Sequence, residues 1–139
     1  MSMMGKTSLL YGTEGTSTDT GASQFISRLM HGANAIHMHH LMVEGPGSFA
    51  KHMALGVYDD LREAVDTLAE AWMGCTGMKV TFSAGSFELS PDATAEVQKI
   101  YDYVEQNRTL MGDESHIQNE VDAICTLLSS TLYKLTRLA

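Results

Sequence analysis

Apolar side chains first fall into register at Ala22. Ala22, Ile26, Leu29, Ala33, Ile36 and His40 recur at steps of three and four, the stripe of one α-helical face. Glu44-Gly45-Pro46-Gly47 ends that helix, because Gly45 tolerates a left-handed backbone and Pro46 cannot continue the ladder. Ser48 is placed to cap a second helix running to about Met73, with Gly74 behind it, about 26 residues and about 39 Å long. Residues 75–89 lose the helical period. Met78 to Phe82 alternates and a Ser-Ala-Gly-Ser break follows, which predicts a long connection with room for a small hairpin. Ser90-Pro91-Asp92 opens a third helix, with Pro91 at the first helical position and Ala93, Val97, Ile100, Tyr101 and Val104 as its stripe. After Met111-Gly112, Asp113 or Ser115 caps a fourth. It carries Ile117, Val121, Ile124, Leu128, Thr131 and Leu135 on one side, with Lys134 and Arg137 at its negative C-terminal end.

Four amphipathic helices predict an all-α protein, an antiparallel four-helix bundle. The first and last connections are short, but the middle one has about fifteen residues and reaches roughly 50 Å when extended. That is enough to travel the length of the bundle, so two antiparallel hairpins joined by a long crossover between the second and third helices are expected. Residues 1–21 hold twelve Gly, Ser or Thr and no period, and are expected to form a flexible tail on a domain of residues 22–139. Leu9 and Leu10 could dock that tail on a neighbour.

Composition narrows the function. With 139 residues, 44% of them apolar, the chain fits one globular domain. No apolar run approaches the ~20 residues of a membrane span, and the start lacks a secretory signal, so a cytoplasmic protein is expected. Cys75 and Cys125 have no disulfide or zinc spacing and read as reduced, buried thiols without a histidine base. Seventeen acids against nine bases, a net charge of −8, argue against a nucleic-acid partner, and Lys6 is the only base of the tail. Gly12 and Gly15 lack the strand–turn–helix setting of a phosphate loop.

The chemistry concentrates on the second helix. At about 100° per residue, His52, Asp59, Glu63, Asp66 and Glu70 fall within about 60° of one another, opposite Val57, Leu61, Leu68 and Trp72. Such a stripe is either a solvated face or a metal-binding interface, since imidazole and carboxylate together suit Fe, Mn or Zn. On the first helix His40 alone lies on the apolar stripe; His37 and His39 point aside and His31 is expected to be solvated. His40 and His52 flank the tight turn at one end, whereas Asp66 and Glu70 lie about 21 and 27 Å further along. One chain therefore cannot gather these ligands, but a two-fold dimer with antiparallel second helices can. His116 and Glu120, one turn apart on the fourth helix, are a possible second metal pair. Glu96 and Glu105 are expected to face solvent.

The segment HLMVEGPGSFAKH (40–52), followed by DTLAE (66–70), resembles the Dps-type miniferritins of the ferritin-like superfamily. The shared pattern is a His, a Gly-containing turn, a second His twelve residues on, and a later Asp-x-x-x-Glu. SFAKHMALGVYDDL and IQNEVDAICTLL also resemble small uncharacterised proteins of bacteriophages and marine bacteria. The resemblance implies iron binding or oxidation at a dimer interface, with His40, His52, Asp66 and Glu70 as ligands in a homo-oligomer. Miniferritins carry an Asp four residues after the second His; here Gly56 stands there, with Asp59 one turn on. The His-to-Asp spacing is one residue shorter, which rotates the ligands by about 100° unless the helix carries a bulge. Leu41-Met42 replaces the Trp-Asn after the first His. The other function in view is a non-catalytic interaction or assembly protein of the same fold.

Overall fold

The computed structural model describes residues 16–82 and 87–138. The expected tail, with its docking residues Leu9 and Leu10, falls mostly on residues 1–15 and lies outside them. The protein is all-helical, and among the described residues no strand forms. Its elements are α1 (Thr16–Met42), α2 (Ser48–Ala54), α3 (Val57–Thr76), α4 (Ala93–Asn107), a 3-10 turn (Arg108–Met111) and α5 (Ser115–Arg137).

The stripes of the four expected helices become the core. Phe25, Leu29 and Ile36 of α1, Leu61 and Leu68 of α3, Val97 and Ile100 of α4 and Ile124 and Leu128 of α5 are fully buried together. Each long helix packs on two others: α1 on α3 and α4, α5 on α3 and α4. Gly32 sets the closeness of α1 to α4, since a Cβ there would sit 3.1 Å from Ile100 Cδ1.

Several element ends differ from expectation. Helix α1 starts at Thr16, ahead of Ala22. Gly47, with φ 83°, caps α2, while the Ser48 hydroxyl turns back and donates to the Glu44 carbonyl at 2.6 Å. Helix α3 runs past Gly74 to Gly77, whose φ of 76° is the left-handed stop. Asp92 rather than Pro91 marks the start of α4, its carboxylate accepting from the Ala95 amide at 2.8 Å.

The main departure is that the expected second helix is two. Between α2 and α3 the bonds shorten to the i−3 pattern: Gly56 N–H to Met53 O at 3.1 Å, Tyr58 to Leu55 at 3.3 Å, Asp59 to Gly56 at 3.4 Å. In a regular helix Leu55 would lie about 120° from Leu61. Three tighter residues add about 60° of winding, which brings Leu55 into the core, where it is fully buried.

The connection from α3 to α4 climbs alongside α1. Thr81 N–H donates to Ser23 Oγ at 2.9 Å, Phe87 packs on the His31 ring at 4.9 Å, and Ser90 N–H bonds Glu96 at the level of His39. Ser23 to His39 is about 24 Å of helix. Met78 to Phe82 forms no strand, so the described half of the possible hairpin is absent. The turn before α5 returns to the start of α1, where Leu110 lies against Gly21. No described helix is long and apolar enough to cross a membrane.

Candidate metal centre

The glycine turn at 45–47 folds α2 back so that His52 faces His40. Their rings stack at 3.8 Å between centroids. His40 Nδ1 donates to the His52 carbonyl at 2.7 Å, and His52 Nδ1 donates to the His40 carbonyl at 2.8 Å. A carbonyl only accepts, so each Nδ1 carries the proton. In the neutral rings both Nε2 atoms are then lone-pair donors, the form that binds a metal. The twelve-residue spacing thus closes a reciprocal clasp across the turn.

The stack continues into α3. Tyr58 lies flat on His37 at 3.8 Å and edges His40 at 5.3 Å. Arg62 sits over the Tyr58 ring at 5.1 Å and donates to Asn34 at 2.8 Å and to His37 Nδ1 at 3.3 Å. An Nδ1 that accepts places the His37 proton on Nε2, opposite to its neighbour. Tyr58 did not stand out in the sequence, and His37 was expected to point aside from the stripe of His40. The signal for His37 was its i+3 relation to His40; for Tyr58 it was hidden by the tightened turn.

The four carboxylates keep their shared face. Asp59, Glu63, Asp66 and Glu70 are all exposed on α3, opposite buried Leu61, Leu68 and Trp72, and none forms an ion pair among the described residues. Asp59, Glu63 and Asp66 line a groove against α1 together with Arg62, Lys79 and apolar Ile26 and Val65. His52, on α2, is held by His40 in the clasp. Among the described residues of one chain, no group of three His, Cys, Asp or Glu is placed to hold a metal. His116 is exposed and Glu120 half-buried at the start of α5, by the turn that adjoins Gly21, far from the clasp.

Other assignments change. His39 and Glu96, expected to point aside and to solvent, are buried together, with Nε2 3.3 Å from Oε1. His31 is half-buried under Phe87 rather than solvated. The thiols are not buried: Cys75 is exposed and Cys125 half-exposed. Partial burial, with the Glu105 carboxylate that accepts its S–H, pushes the Cys125 thiol up to about 11. It is therefore protonated at neutral pH and a poor nucleophile. Arg108 is held above its ordinary value, chiefly by its bond to Asp122.

The model of DUF5856, described as a family of unknown function, matches residues 40–135. The chain belongs to this family. The DUF5856 match opens on His40 and spans every candidate ligand, His52, Asp59, Asp66, Glu70, His116 and Glu120 included. No curated protein and no solved structure matches the chain.

Proposed function

We propose that this DUF5856 chain is a ferritin-like four-helix bundle with a long crossover, which binds iron at a site completed by a second copy. The crossover reading is supported by the pairing of α1 with α4 and of α3 with α5, and by the connection that contacts α1 at Ser23, His31 and His39 in turn. In a simple up-down bundle α3 would instead lie against α4.

The observation that carries the iron reading is the His40–His52 clasp. Both imidazoles have their Nδ1 protons committed to backbone, so the neutral form of each ring leaves an Nε2 lone pair over. Two nitrogen ligands are an incomplete set, and the acids of the same chain lie on another helix stretch. In a two-fold dimer with antiparallel α3 helices, Asp66 and Glu70 of one protomer face the clasp of its mate, giving mixed nitrogen and oxygen ligands suited to iron, with zinc or manganese as alternatives. Iron is the cargo in this reading, oxidised at the expense of oxygen or peroxide. Asp59 supplies an acid one turn past the place held by Gly56.

The test is metal content of protein purified without chelator, together with Fe(II) oxidation by native, His52→Ala and Glu70→Gln proteins. Bound iron and a rate that falls about tenfold or more in either variant support the site. Metal-free protein with equal rates removes it.

A second reading, a non-catalytic assembly protein, draws on the apolar surface around the same turn. Leu41 is 70% exposed and Phe49 75%, with Met38, Met42 and Met53 also open. Contiguous exposed apolar groups mark interaction surfaces. It stands if the metal test fails while the protein still self-associates.

A further inference from the structure

On the face between α1 and α4, away from the clasp, lies an open groove of about 620 Å³. Arg28 enters it from α1; Gln98, Lys99, Asp102, Tyr103 and Gln106 line it from α4. Arg28 Nη1 is closed off from solvent and has no hydrogen-bond partner, the one such side-chain nitrogen or oxygen among the described residues. A guanidinium N–H without an acceptor is costly, and Arg28 forms no ion pair among the described residues of a chain rich in acids. Its Cζ sits over the Tyr103 ring at 5.5 Å. Burial raises the Tyr103 phenol above its ordinary value, with the Arg28 charge opposing, so Tyr103 stays neutral and supplies no counter-ion.

Lys99 adds a second cation. Its ammonium is held by Glu96 Oε2 at 3.3 Å and the Glu88 carbonyl at 3.0 Å, leaving one of three N–H donors to spare. The one carboxylate lining the groove, Asp102, is engaged with the Gln98 amide at 2.9 Å. We infer that this groove binds a small oxyanion, the carboxylate or phosphate group of a small molecule, between Arg28 and Lys99. For a ligand oxygen to reach the orphaned N–H the guanidinium must shift on the Tyr103 ring, and its planar fork suits either group. The site is independent of the iron proposal and shares no ligand with it.

The test is a titration of the full-length chain with inorganic phosphate and, separately, with succinate, followed by the Arg Nε–Hε NMR signals. A saturable shift at Arg28 is expected, weakened about tenfold in Arg28→Gln and strengthened severalfold in Asp102→Asn, which removes the competing charge. Response to one probe alone assigns the phosphate or carboxylate source. No saturable shift with either probe, or equal binding in Arg28→Gln, overturns the inference. Should Arg28→Gln unfold, the exposed Asp102→Asn variant decides: unchanged affinity there also overturns it.

Discussion

His39 on α1 and Glu96 on α4 meet at 3.3 Å between Nε2 and Oε1, with 3% and 1% of their surfaces exposed. The same Glu96 oxygen accepts the Ser90 N–H at 2.7 Å, and its other oxygen lies 3.3 Å from Lys99 Nζ. One buried carboxylate thereby ties the end of the long connection, the end of α1 and the start of α4. A buried carboxylate is tolerable only with such partners, because the desolvation cost of the charge is large.

Removing Glu96 should therefore be expensive. Glu96→Ala leaves a buried imidazole N–H and a backbone N–H without acceptors and is expected to cost about 3–5 kcal/mol. Glu96→Gln keeps an oxygen for Ser90 and should cost less. Urea unfolding would show a lower midpoint at unchanged slope. Ser130→Ala, on the exposed side of α5, is the control. A Glu96→Ala midpoint no lower than that control would show that the carboxylate does not tie these segments.

The core was legible in the sequence because each expected helix carries one apolar stripe, and those positions are buried from Ala22 through Leu135 except for half-buried His40, Val57 and Tyr101. His39 and Glu96 were misread even though position supported burial: Glu96 lies three residues past Ala93 and four before Ile100, and His39 four past Ala35. Their polar character argued for solvent, and the partner that makes burial affordable is 57 residues away, beyond the reach of any helical wheel. The clasp was half visible. Spacing brought His40 and His52 to one end of the fold, but the wheel assumed even winding, and the tight turn at Leu55–Gly56 breaks that assumption.

The clasp fixes a proton position that can be observed. Both His40 and His52 are expected as the Nδ1–H form, the less common tautomer of a free imidazole, while His37, accepting from Arg62, carries its proton on Nε2. Nitrogen chemical shifts from long-range correlation of the labelled rings distinguish the forms at neutral pH. Finding His40 and His52 protonated on Nε2 would break the clasp and remove the free lone pairs the iron site needs.

Self-association should depend on two surfaces in different ways. Phe49→Ser or Leu41→Ser removes exposed apolar area at the α1–α2 turn and is expected to lower the solution mass seen by light scattering, with little change in unfolding midpoint. Neutralising Glu63 and Glu70 together should also change that mass if α3 pairs with its copy. A mass that stays constant in all these variants would leave α3 as a solvated face and the chain without the partner its iron site requires.

Cys125 gives a pH prediction whose sign follows from its environment. Folding raises its thiol from the ordinary 9.0 to about 11, so the folded state holds a proton that the unfolded chain releases first. The associated stability is complete below about pH 9 and fades as pH rises toward 11. Since Cys125 is only half-buried, solvent screening leaves on the order of 1 kcal/mol. Alkylation reads the same property. At pH 8 the exposed Cys75 should react first, and the slow Cys125 rate should climb roughly tenfold per pH unit until the thiol ionises. Glu105→Gln removes the acceptor charge and should speed Cys125 at every pH below that point. Equal rates for the two cysteines at pH 8 would mean that the α4–α5 contact at Glu105 does not hold the thiol protonated.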